Sequence, residues 1–223
     1  MLSFNPGLNI VHDIKTEGYL VAHHSTTLGI TPPTQPFVPI KKHWKTDWQG
    51  DQGQTPKCTG YGPIIALDAT PIRHDNTKLP DPNVLYEMNR EYDKSRGWIF
   101  DEGATVISAM ESLKKLGFIK AYFAGYTMDE LFRALARGPV VAGTMVTNSM
   151  FDRDAKGVAR IDLTSGWAGG HCYTLSGYDP HTNLLKNPES WGDGDYYFDA
   201  DEWYQLLRRD GEFWVMQEVK DAA

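Results

Sequence analysis

Cysteine is scarce in this chain, with two among 223 residues. Two thiols cannot staple a protein of this size, so a disulfide framework is excluded and an apolar core must hold the fold. Long apolar runs are missing too. No stretch reaches the roughly 18–20 residues that cross a bilayer, and Leu2 to Asn9 mixes polar and apolar residues rather than following the order of a secretory signal. Positive charge is not in excess. A formal charge of −7 argues against nucleic acid as the main partner, and the short run Lys41-Lys42-His43-Trp44-Lys45 does not reverse it.

Metal-ligand spacing is also absent. His12, His43, His74 and His181 stand in polar surroundings, and the neighbours His23 and His24 cannot share one face of a helix or strand. The acidic stretch Asp193, Asp195, Asp199, Asp201, Glu202 lacks the glycine and terminal glutamate of a calcium loop and reads as a solvated turn. No glycine-rich phosphate loop or C-x-x-C pair is found. The expectation is a protein with no metal, no organic cofactor and no membrane span, made in a reducing compartment and cytoplasmic by default.

Composition is that of an ordinary globular chain: 41% hydrophobic, 12% aromatic, 23% charged. Residues 1–36 read as an extension, ending in the proline-rich Thr31-Pro32-Pro33-Thr34-Gln35-Pro36, which favours an extended strap. Such a strap is a candidate surface for an assembly partner. Helices are expected from Ile64 to Ala69, from Asn83 to Asp93 and from about Ala104 to Leu116. In the last of these Val106, Ala109, Met110 and Leu113 recur at helical spacing before Gly117. Thr127 and Glu130 form a capping box for a further helix ending near Gly138-Pro139. Strands are expected at Val140–Val146, Cys172–Tyr178, Leu184–Lys186, Tyr196–Phe198 and Glu212–Val219. Helices first and strands later make an α+β fold the expectation, with a helical lobe over about 50–138 and a β lobe over about 139–219 within a domain of residues 37–223.

Four residues carry chemistry: Gln52, Cys58, His171 and Asn187. A thiol, an imidazole to deprotonate it, an amide to orient the imidazole and an amide donor for an oxyanion are the parts of a cysteine acyl-transfer site. Cys172, which follows His171 in an apolar run, reads as a small core residue.

The local strings are similar to those of the papain-like cysteine peptidases, in their compact bacterial, archaeal and phage forms. Asp51-Gln52-Gly53 before Cys58 resembles the segment preceding the nucleophile, and Asp101-Glu102-Gly103-Ala104 the central Glu-Gly stretch. Gly138-Pro139-Val140, Gly170-His171-Cys172 through Gly177-Tyr178, and Trp191-Gly192-Asp193-Gly194-Asp195-Tyr196 resemble the opening of the β lobe, the histidine strand and the Trp-Gly turn. The resemblance covers roughly residues 37 to 218. It implies a helical lobe and an antiparallel β-barrel-like lobe with a cleft between them. It also implies a peptide or protein substrate, with Cys58 as nucleophile, His171 as base and Asn187 as orienting group. Gln52 would donate to the oxyanion, and Gly103, Gly170 and Trp191 would contact substrate.

The departures are specific. Thr55-Pro56-Lys57-Cys58-Thr59 lacks the family's upstream cysteine and the aromatic after the nucleophile. Gly60, Gly62 and Pro63 predict a kinked or delayed helix where the family starts one at the thiol, and Lys57 is a candidate substitute charge. Asn187-Pro188-Glu189-Ser190-Trp191-Gly192 replaces the usual Asn-Ser-Trp-Gly. Asn187 is preferred as the orienting group because Leu184-Leu185-Lys186-Asn187 reads as a strand end. Glu189 beside Ser190-Trp191-Gly192 is the rival, and the altered spacing leaves the tryptophan that shields this bond open to displacement. These departures keep two further functions in view: a papain-fold structural or interaction protein, for instance in a phage particle, and a Cys-His amidase acting on cell-wall or isopeptide bonds. The extension is also a candidate to cross the cleft and inhibit.

Overall fold

The computed structural model describes residues 37–48, 50–72 and 79–218; the expected extension over 1–36 lies outside them. After the short strand β1 (Lys42–His43) comes helix α1 (Cys58–Asp68), whose first residue is the cysteine itself. The delayed helix expected from Gly60, Gly62 and Pro63 is therefore not what forms. Pro63 sits inside α1 and has no N–H for the carbonyl four residues back. The Asn89 side-chain amide donates to that carbonyl, Thr59 O, at 2.9 Å. The two glycines have packing reasons. A Cβ on Gly60 would lie 2.2 Å from Pro82 O, and one on Gly62 2.9 Å from Cys172 O.

Helix α2 (Pro82–Ser95) starts with Asp81 accepting from the Asn83 and Val84 N–H groups, with proline at the first position. Helix α3 (Val106–Lys115) is capped by Thr105. The buried Asp93 carboxylate at the end of α2 takes the Thr105 N–H at 2.9 Å and its hydroxyl at 2.7 Å, tying the two helices together. Strand β2 (Ile119–Gly125) follows, a strand not expected from the sequence, and then α4 (Met128–Leu135), in which both halves of the Thr127/Glu130 capping box are formed.

The remaining strands are β3 (Val140–Thr147), β4 (Trp167–Leu175), β5 (Gly177–Asp179), β6 (Leu184–Pro188), β7 (Asp195–Asp199) and β8 (Glu212–Glu218). Between the last two lies α5 (Ala200–Asp210). Asp199 caps it and Asp201 and Glu202 fill its first turn, where the helix dipole favours acids. Of the acidic stretch expected as a solvated turn, Asp193 lies in an exposed bend, Asp195 opens β7, and the last three residues start a helix instead.

Two antiparallel four-stranded sheets result, in the orders β2-β8-β3-β4 and β1-β5-β6-β7. The chain passes from one to the other at Ser176, whose N–H bonds Lys186 O and whose carbonyl takes the Trp44 N–H. Alternate residues of the first sheet feed two cores. Val140, Ala142, Tyr173 and Leu175 pack with α4, α5 and the second sheet; Val141, Cys172 and Trp214 pack with α1 and α3. The fold is α+β. Among the described residues no helix is long and apolar enough to cross a membrane, and no cluster of three or more His, Cys, Asp or Glu residues could hold a metal.

Candidate active site

Three segments converge on His171. Cys58 enters at the first turn of α1, where free N–H groups favour negative charge. His171 comes from β4, opposite Thr144 in register. The third segment is the turn after β6, held to residues 51–52 by a bridge between Asp51 and Trp191 and by the Gln52 N–H on Ser190 O at 2.8 Å. Gly192 is required there, because a Cβ would lie 2.9 Å from the Asp51 carboxylate at a φ of +77°.

His171 is 1% exposed and Cys58 0%. The Nε2 of His171 lies 2.8 Å from Glu189 Oε1. Asn187, preferred for this bond on the sequence, does not make it; its side-chain amide donates to Glu189 Oε2 at 2.8 Å instead. The physical reason is the length of β6, which runs on through Pro188 and delivers the residue beyond it to the ring. Glu189-Ser190-Trp191-Gly192 then stands where the family has its asparagine string, and Trp191 is not displaced. Its ring stacks on His171 with centroids 4.8 Å apart and is flanked by Phe151 and Tyr196. His171 also meets Tyr173, with ring centroids 5.6 Å apart, and the Tyr173 hydroxyl is fixed by Thr144 and Trp203.

Nδ1 of His171 is buried without a hydrogen bond of standard geometry. The Cys58 thiol also acts on the ring, as a polar contact that favours the imidazolium. Burial alone would lower the His171 pKa, but the Glu189 carboxylate and Cys58 outweigh it and raise the value to about 10. For Glu189 burial works upward, and His171, Asn187 and the Ser190 N–H overcome it, leaving the carboxyl below its ordinary range. An imidazolium facing a carboxylate is the consistent state of the pair. The Cys172 thiol is pushed well up, first by burial and then by the charge of Cys58, and it is wholly buried in the core beside α1.

The Gln52 amide is held at both ends. Oε1 accepts the Ser190 hydroxyl at 2.7 Å, and Nε2 donates to Thr55 O at 2.9 Å, which leaves one amide hydrogen uncommitted. Thr55 closes a tight turn back onto Gln52 O, at 2.6 Å from its hydroxyl, and so leads the chain into α1. Lys57 does not pair with the site residues; its ammonium bonds Asn83 at 2.7 Å. Gly103 has a φ of +79° and its N–H is given to the Tyr86 hydroxyl at 3.1 Å. Gly170 lies buried on β4, opposite Met145. Ser190 escaped the sequence reading, because nothing but its neighbours distinguishes it from a surface serine. Asn89 escaped as well, although Pro63 inside an apolar run signals that some outside donor is needed.

No protein-family model matches the chain, and no curated protein matches it by sequence. Solved structures do. Xylellain, a cysteine protease from Xylella fastidiosa, is similar at a TM-score of 0.67 and 18% identity, over 97% of either chain. The procathepsin B S9 of Trypanosoma congolense gives 0.58 at 9% identity, over 85% of this chain and 82% of that one. A structure from work on the mite allergens Blo t 1 and Der p 1 gives 0.59 at 13% identity, over 96% and 81%. The fold is the papain-like peptidase fold.

Proposed function

We propose that this papain-like chain is a cysteine-type peptidase acting on peptide or protein substrates. One observation supports the reading: His171 is held by Glu189 through Nε2, its buried Nδ1 has no hydrogen-bond partner among the described residues, and Cys58, at the first position of a helix, favours its charged form. Glu189 keeps the imidazole protonated, and the imidazolium supports the Cys58 thiolate, the attacking species. Attack on a peptide carbonyl carbon converts its oxygen to an oxyanion. The uncommitted Gln52 amide hydrogen and the Cys58 backbone N–H receive that charge. His171 then passes its proton to the leaving amine, which departs and leaves a thioester on Cys58. Water, deprotonated by His171, hydrolyses the thioester and restores the thiolate–imidazolium pair. Glu189 stays ionised throughout and takes the place the family gives to asparagine. The scheme uses side chains, the Cys58 backbone N–H and water, and calls on no metal or organic cofactor.

A second reading has its own support. Cys58 has no exposed surface and Gly103 has its N–H engaged, as suits a papain-fold component of an assembly that never opens its site. One experiment separates the two. The protein is treated with an epoxide-type thiol inhibitor, and mass addition is compared for wild type, Cys58→Ala and His171→Ala. Labelling that needs both residues supports the peptidase. A wild type that reacts no faster than a surface thiol sinks it.

A further inference from the structure

Both cysteines of the chain end in one place. Cys58 opens α1, and Cys172 lies on β4 directly after His171. Both are free and wholly buried, and both belong to the apolar cluster between α1, α3 and the first sheet. The proposed chemistry uses one of these thiols and leaves the other idle beside it. We infer that Cys58 and Cys172 are an oxidation pair: a hydroperoxide converts Cys58 to a sulfenic acid, and Cys172 closes on it a disulfide that a dithiol reopens.

A disulfide needs Cα atoms about 4.4–6.8 Å apart, so the two backbones must run close together. Helix α1 and strand β4 do so. At Gly62, one turn beyond Cys58, a Cβ would lie 2.9 Å from Cys172 O and 3.1 Å from Tyr173 Cα. The Gly62 carbonyl accepts the Thr174 hydroxyl at 2.7 Å, which pins the helix to the strand. Side-chain direction agrees. Tyr173 and Leu175 face the other core, so Cys172 alternates toward the α1 side. Cys58 makes a polar contact with the ring of His171, the residue next to Cys172 in the chain.

Hydrogen peroxide is barely larger than water, so it needs far less opening than a peptide to reach the covered Cys58. The Cys58 thiolate attacks one peroxide oxygen, the O–O bond breaks, and the departing hydroxide takes the His171 proton and leaves as water. An S–O bond has formed and His171 is neutral. Cys172 then attacks the Cys58 sulfur. The S–S bond forms, the S–O bond breaks, and hydroxide leaves with the Cys172 proton as a second water. Two thiols have lost two electrons and the peroxide has gained them. Burial first, and the charge of Cys58 second, hold the Cys172 thiol well up. Oxidation of Cys58 removes the second cause and not the first, so closure is the slow step. The bridge keeps Cys58 from sulfinic acid, the stage a dithiol does not reverse.

This rests on the Cys58 thiolate of the proposed peptidase, and the readouts keep the two ideas apart. The full chain, reduced and native, is treated with hydrogen peroxide, quenched in acid and mapped without reductant. The expected map joins the Cys58 peptide to the Cys172 peptide within one chain. Alkylation of Cys58 by iodoacetamide is lost at the same time, and dithiothreitol restores it to the starting rate. Dimedone added with the peroxide should trap Cys58 before the bridge closes. Untreated Cys172→Ala should alkylate like wild type, whereas its peroxide-treated form should reach sulfinic acid and stay unreactive after dithiothreitol. A wild-type map with Cys58 as sulfinic acid and Cys172 still a thiol, or with bridges only between chains, overturns the pair without any variant and leaves the peptidase standing. Recovery of Cys172→Ala as complete as that of wild type overturns the pair as well. An untreated wild type that alkylates no faster than a surface thiol overturns both.

Discussion

Asn187 is joined to His171 through Glu189: its amide donates to one carboxylate oxygen, and the other lies 2.8 Å from the ring. The charged group therefore sits next to the imidazole and the neutral one behind it. Glu189→Gln keeps the shape and removes the charge. It should slow Cys58 acylation by roughly 10²-fold and move the alkaline limit of thiol alkylation, set by His171, to lower pH. Asn187→Ala removes one hydrogen bond to a charged acceptor, typically about 1.5–3 kcal/mol, and should give a smaller loss. A pH profile of iodoacetamide alkylation for the three proteins reads both effects; equal losses would refute this order.

Stability should follow the same pair. The folded-state pKa of His171 is raised to about 10, above an unfolded value of about 6.5, so its contribution is complete below the unfolded value and is lost as pH climbs toward 10. That of Glu189 is depressed, so its contribution is present above about 4.3 and is lost as pH falls through its folded value. Urea midpoints should be greatest between those two unfolded values and decline on both sides. His171→Ala, which strands a buried carboxylate, should cost about 3–5 kcal/mol at pH 6.

Asn89 and Pro63 form a testable couple on α1. Asn89→Ala leaves Thr59 O without its donor, at an expected cost of about 1–3 kcal/mol. Pro63→Ala restores the missing N–H, so in that background the Asn89→Ala cost should shrink. Denaturant unfolding of the four-protein cycle measures the coupling, and additive costs would count against it.

Gly62→Ala places a methyl carbon 2.9 Å from Cys172 O, a clash with backbone on the strand that carries His171. A stability loss of about 1–3 kcal/mol is expected, together with slower Cys58 alkylation in the folded protein. The two should move together, because the helix and the strand part at the same place.

The inhibitory role expected of residues 1–36 has a direct measure. Cys58 has no exposed surface, so if the extension covers it, deleting residues 1–36 should speed its alkylation. An unchanged rate rules that role out.

Much of this was legible in the sequence, because Cys58, Gln52 and His171 each sit in a short string whose meaning is local. The choice between Asn187 and Glu189 was not. Asn187 read as a strand end and Glu189 stood beside Ser190-Trp191-Gly192, so both were candidates, and only the reach of β6 through Pro188 decided between them. Strand β2 was missed because its partner is β8, far along the chain. α5 had a readable start in Asp199, Asp201 and Glu202, with Trp203, Leu206 and Leu207 at helical spacing, but was passed over among strands. Gly60 and Gly62 read as helix breakers when they are points of close approach, since a sequence cannot say what will press against it.

Strand β8 lies between β2 and β3, so the sheet that carries His171 is completed by the last described segment. A nascent chain that has released everything up to Asp210 holds Cys58, His171 and Glu189, yet β2 has no neighbour and β3 lacks one of its two. The strand that ties β2 to β3, and so steadies the neighbour of the His171 strand, is thus supplied from beyond all three of these residues.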